Sequence, residues 1–164
     1  MNVQGYRDSD RDACRALWVE LTQWHRDIYA APEIGGDDPA AAFDEHLALV
    51  GAENIWVTEI DERVVGFVGM ITNEKHAELE PIVVSTEFRG RGLGQALLET
   101  VVARARERGL RQVLVRPVAR NAEAIAFFHA NGFGALGQIE LILDLAARDH
   151  WRPGEQLAGR DFDV

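Results

Sequence analysis

Arg89, Gly90, Arg91, Gly92, Leu93 and Gly94 make the run of this chain most suggestive of chemistry. Glycines at alternate positions let an anionic group approach backbone N–H donors with no Cβ in the way. The two arginines add forked donors suited to phosphate oxygens. Upstream, Glu78 and Glu80 alternate with Leu79, which places both carboxylates on one face of a strand. A carboxylate so placed can take a proton from an ammonium group. Anion binding and general-base chemistry therefore lie side by side.

These residues need elements to hold them. Ile82, Val83 and Val84 form an apolar, β-branched run suited to a buried strand, broken by Ser85-Thr86-Glu87. Beyond the glycines, Leu97, Leu98, Val101, Val102 and Ala105 recur at helical spacing. Arg104, Arg106 and Arg108 precede Gly109, as the end of a helix favours. The order is strand, glycine-rich loop, helix. The unpartnered N–H groups of a helix's first turn, with the helix dipole, make an anion site in front of it. The P-loop is excluded because no Gly-Lys-Ser/Thr triplet occurs. The dinucleotide fingerprint fails because its sixth position is Gln95 or Leu97.

Around this segment the pattern predicts a short strand at 3–6, a helix from 9 or 10 to 29 and a loop rich in Pro, Gly and Asp. A second helix is expected over 39–50, then a hairpin of strands 54–60 and 64–71 about Asp61-Glu62-Arg63. A strand at 77–84 leads into the loop. After Gly109, a strand is expected at 112–115 and a helix over 121–130. Phe133 and residues 139–145 should supply the last sheet elements. The tail from 146 to 164 has no clear period and reads as an irregular extension. Residues 1–145 form one domain and 146–164 extend it.

The loop resembles the pyrophosphate-binding loop of the GNAT superfamily of N-acetyltransferases, Arg/Gln-x-x-Gly-x-Gly/Ala, through Arg89, Gly92 and Gly94. A second family pattern is matched by Asn121, Ala124, Phe127, Gly132 and Phe133. The resemblance is strongest over 78–133. It implies an α/β (α+β) fold, a single domain with a central mixed, mostly antiparallel sheet flanked by helices. It also implies acetyl-coenzyme A as co-substrate and no metal, with Ile82, Val83, Val84, loop residues 89–94, Asn121 and Phe128 around the cofactor. Val83 and Val84 would offer backbone groups to the pantetheine arm. Many members carry tyrosine at Phe128, where the phenol protonates the departing thiolate, and Phe128 has no such proton. A catalytic glutamate is implied on the strand at 77–84, with Glu78 ahead of Glu80.

Composition bounds the rest. The chain has 164 residues, 47% of them hydrophobic, enough for one packed core. A net charge of −10 argues against nucleic acid or an anionic membrane surface as partner. The lone Cys14 excludes a disulfide framework and reads as core. The scattered His25, His46, His76, His129 and His150 give no metal-ligand spacing. With no signal core and no long apolar run, a cytoplasmic location is expected.

The expected reaction is acetyl transfer to a primary amine by direct attack, with a glutamate base. The alternative is an acyl-coenzyme A sensor or structural module without efficient turnover. The acceptor would be a small-molecule amine or a protein lysine or N-terminus, and a homodimer is compatible with the pattern. Glu33, Asp37, Asp38, Asp44 and Glu45, with Trp18 and Trp24 nearby, favour a cationic acceptor.

Overall fold

The computed structural model describes residues 2–145 and 151–164. Strand β1 (Asn2–Gly5) is followed by helix α1 (Arg11–Tyr29), whose Cys14 and Leu17 are buried. Helix α2 (Pro39–Val50) begins at Asp38, whose side chain accepts a bond from the Ala41 N–H at 3.3 Å. Pro39 at its first position needs no hydrogen-bond partner there. Strands β2 (Ile55–Ile60) and β3 (Arg63–Thr72) flank Asp61 and Glu62, both at positive φ, the geometry of a tight two-residue hairpin turn. Then come β4 (His76–Val84), α3 (Leu93–Glu107), β5 (Gln112–Leu114) and α4 (Ala122–Ala130).

The sheet runs β1-β2-β3-β4-β5, antiparallel throughout except for the parallel β4–β5 pair. Its two faces bury separate cores. On one, Trp56, Val68, Met70, Ala77 and Leu79 pack against Leu97, Leu98, Val101 and Ala105 of α3. On the other, Ile55, Val57, Phe67 and Val83 meet Cys14 and Leu17 of α1 and Phe43 of α2. Cys14 has no exposure, and burial pushes its thiol up to about 12, so it is core and not a nucleophile. The expected single domain with a mixed, mostly antiparallel sheet flanked by helices is what forms.

The C-terminal part departs from expectation. Residues 139–145 form no strand, and Ile139, Leu141, Ile142, Leu143 and Leu145 are exposed. Phe133 packs beside the α3 core but joins no strand. The tail is not irregular. Strands β6 (Pro153–Leu157) and β7 (Arg160–Asp163) form a separate hairpin about Ala158-Gly159, both at positive φ. No helix among the described residues is long and apolar enough to cross a membrane.

Candidate functional site

The site lies where β4 and β5 part. They pair only at His76–Gln112, Ala77–Val113 and Glu78–Leu114, so among the described residues no strand lies beside 79–84 of β4 on that side. Toward β3 the register jumps: Val68 faces Ile82, but Met70 faces Leu79. Glu80 and Pro81 thus oppose the single residue Gly69, a β-bulge. Pro81 has no N–H to give the ladder. Gly69 is required, because a Cβ there would come within 2.4 Å of the Glu80 carbonyl oxygen.

Past the bulge, alternation decides which backbone groups are available. The Ser85 N–H donates to the Val65 carbonyl at 2.9 Å, and Phe67 pairs with Val83. Val83 therefore directs its N–H and C=O to β3, while Ile82 and Val84 direct theirs to the open edge. Of the three β4 residues expected around the cofactor, Ile82 and Val84 thus turn backbone groups to the open edge, and Val83 turns its own to β3. Arg89 Nε donates to the Val84 carbonyl at 3.2 Å, which ties the loop to that edge.

The loop meets α3 at Gly92, in the left-handed region at φ 80°, and no side chain caps the helix. Gly90 has φ 73°, and a Cβ at either glycine would touch nothing within 4 Å. The first-turn N–H groups behind Leu93 thus face an open front. A Cβ at Gly94 would sit 3.6 Å from the Phe127 ring and 3.9 Å from the Val84 side chain, ordinary contact distances. The Arg91 guanidinium lies 5.1 Å from the centre of the Phe88 ring, and that of Arg89 lies 5.0 Å from Trp24. The residues expected to meet an anion therefore lie together at the front of α3.

The two carboxylates differ. Ala77 and Leu79 pack in the α3 core, so Glu78 turns to the face of α1 and α2, opposite Ile71. It is mostly buried and forms an ion pair with Arg116, just beyond β5. Sequence spacing gave no hint of Arg116, because its reach depends on the divergence of the two strands. Glu80 sits at the bulge, exposed and without an ion-pair partner among the described residues. Asn121 accepts from the Ala124 N–H at 3.0 Å and so caps α4. Phe128 is buried in the α3 core, edge-on to Phe127 and Phe133.

The acidic wall is partly neutralised. Asp44 pairs with Arg11 and Arg15, Asp38 caps α2, and Trp18 packs against Phe43, Phe67 and His46 in the core. Glu33, Asp37 and Glu45 remain exposed. Among the described residues, no cluster of three or more His, Cys, Asp and Glu could hold a metal.

His46 was unexpected here. It is 7% exposed, and a Cβ on Gly69 would lie 2.7 Å from its Nε2, so the ring stands against the bulge. Burial pushes its pKa down, against a smaller upward pull from the Glu80 carbonyl, and burial pushes His25 down too. As pH falls the unfolded chain protonates first, so this stability is full above about pH 6.5 and is lost below it. The melting temperature should fall from pH 7.5 to 5.5, and less steeply in His46→Gln. An unchanged slope in that variant would mean that the folded ring charges freely.

The acetyltransferase (GNAT) family profile matches residues 18–133. Human N-acetyltransferase 8 is 34% identical over 89 residues, 51% of this chain and 39% of that protein, so the match spans about two fifths of the relative's length. The ribosomal-protein-alanine N-acetyltransferase of Brucella melitensis superposes with a TM-score of 0.67 at 21% identity, covering 84% of this chain and 86% of that one. A Mycobacterium tuberculosis protein solved in complex with CoA gives 0.60 at 21% identity, over 87% and 76%. Family profile, curated relative and shared fold agree on one conclusion: this chain belongs to the GNAT acetyltransferase family.

Proposed function

We propose that the chain transfers an acetyl group from acetyl-coenzyme A to a primary amine by direct attack. The observation that carries this is the uncapped N-terminus of α3 behind Gly90 and Gly92, opening beside the unpaired edge of β4. The α3 N–H groups, with Arg89 and Arg91, suit a pyrophosphate. The backbone groups of Ile82 and the Val84 N–H suit the amides of a pantetheine arm, in the manner of an added strand. Acetyl-coenzyme A supplies the thioester carbonyl that the amine attacks.

Glu80, exposed at the bulge with no ion-pair partner among the described residues, takes the proton from the incoming ammonium, directly or through one water. The Glu78–Arg116 pair holds the apex where β4 and β5 separate. Phe128 cannot donate a proton, so the thiolate leaves unaided or with water, which a thiol pKa of about 8.5 allows. With Asp44 and Trp18 otherwise engaged, the amine is the one acceptor feature assigned. A similar fold is shared by AAC(6')-Iy, solved in complex with the bisubstrate analogue CoA-S-monomethyl-acetylneamine, and by the ribosomal-protein enzyme above.

The missing phenol at Phe128 also supports a second reading, acyl-coenzyme A binding without turnover. One experiment separates the two. Coenzyme A at 100 times its Kd should stabilise the fold by about 2.7 kcal/mol. Under the first reading, acetyl-coenzyme A is also consumed with one of a panel of small amines, peptide N-termini or lysyl peptides. Stabilisation without consumption would favour the sensor, and no stabilisation would end both.

A further inference from the structure

Glu20 is a carboxylate beside an anion-binding loop, where its charge opposes the ligand. It is half-buried on α1, and its Oε1 accepts from both the Thr86 N–H and the Thr86 hydroxyl at 2.5 Å. Thr86 opens the short 3-10 turn Thr86–Phe88, whose N-cap, Ser85, makes no side-chain cap bond of its own. Glu20 thus supplies from 66 positions away the cap that the turn lacks. One helical turn on, Trp24 presents its ring to Arg89, the first residue after that 3-10 turn. Residues four apart on α1 therefore grip both ends of the segment that aims loop 89–94.

Other outside contacts are looser. Arg63 reaches Glu87 at 3.8 Å between two exposed side chains and lies 5.7 Å from the Phe88 ring centre. Burial alone would raise the Glu20 pKa, but the Thr86 bonds, the Ser85 hydroxyl and the Arg89 charge together hold it below the usual value. The carboxylate is therefore ionised at neutral pH with its acceptor capacity engaged.

We propose that Glu20 is a positioning residue for the cofactor: anchored on α1, it fixes the Thr86 turn so that Arg89 and the α3 N-terminus meet the pyrophosphate in register. This rests on the coenzyme reading of the loop. Its signature is an inversion of sign. If Glu20 mattered only through its charge, removing that charge would tighten binding of an anionic cofactor. A positioning role predicts the reverse.

The test is calorimetric titration of coenzyme A into the parent, Glu20→Ala, Glu20→Gln and Thr86→Val, with melting temperatures alongside. Glu20→Ala should weaken Kd about tenfold or more, while Glu20→Gln, whose amide oxygen can accept both bonds, stays within about threefold of the parent. Thr86→Val, which loses the hydroxyl donor but keeps the N–H, should fall between them. In turnover, KM for acetyl-coenzyme A should rise with kcat within about twofold, since the reacting carboxylates are untouched. Tighter binding in the two Glu20 variants would overturn the proposal in favour of simple repulsion. A lowered melting temperature with unchanged Kd would overturn it in favour of a merely structural contact. If Glu20→Ala does not fold, Thr86→Val decides, and a parental Kd there overturns the proposal. A parent that does not bind coenzyme A would remove the coenzyme reading itself, a result distinct from parental binding in all variants.

Discussion

Replacing Gly92 by valine should yield a chain that folds and binds coenzyme A far more weakly than the parent. Gly92 stands at φ 80° and ψ 2°, where a β-branched side chain is strained. Its missing Cβ would point into open space at the mouth of α3, so the fold has nothing to clash with. The damage falls on the ligand. Charge-assisted bonds to anions contribute about 1.5–3 kcal/mol each, and displacing two of them weakens binding on the order of a hundredfold or more. Gly109 provides the control. It has φ 73°, an equally empty Cβ position, and lies just past the far end of the same helix. Gly109→Val therefore introduces similar backbone strain without obstructing the loop, and coenzyme affinity should survive. Titration of coenzyme A into both variants separates the effects. Equal affinity in Gly92→Val and the parent would move the anion site elsewhere, and equal loss in both variants would reduce the effect to strain.

The loop and its helix were legible because their signals are local. Glycine spacing, the apolar stripe of α3 and the terminal arginines all act within one segment, so periodicity reports them directly. The asymmetry between Glu78 and Glu80 was hidden. Strict alternation puts both on one face as equals, but the bulge at Glu80 and Pro81 breaks the alternation, and Arg116 then singles out Glu78. The direction of the Val83 backbone was hidden for a related reason. Which groups face an edge depends on the partner strand's register, and the Ser85–Val65 bond that fixes it joins separate strands. Glu20 and His46 were invisible in the same way, since each meets its partner far along the chain. At 139–145 the apolar pattern was real but these residues join no strand, and pattern alone does not make one.

Glu80→Gln should lower kcat/KM at pH 7.4 by about 10²–10⁴-fold, and the loss should shrink as pH rises. A lysine-like acceptor, with a pKa of about 10.4, is only about one part in a thousand neutral at pH 7.4 and about one part in ten at pH 9.5. The enzyme's base matters most where the neutral amine is scarce. Glu80 suits the task because it stands at the bulge, exposed and with no ion-pair partner among the described residues. Glu78 suits it less, since a proton arriving there must displace Arg116. Glu78→Gln should therefore change kcat/KM by a near-constant factor across pH, through a loosened strand junction, and leave the profile's shape intact. Arg116→Met supplies the complementary test: if Glu78 only anchors the junction, freeing its carboxylate should not raise the rate at low pH. The profiles are measured from pH 6 to 9.5 with acetyl-coenzyme A saturating. A pH-dependent loss in Glu78→Gln and not in Glu80→Gln would exchange the two roles. Parental profiles in both variants and in the double would remove a carboxylate base from the mechanism and leave deprotonation of the amine to water.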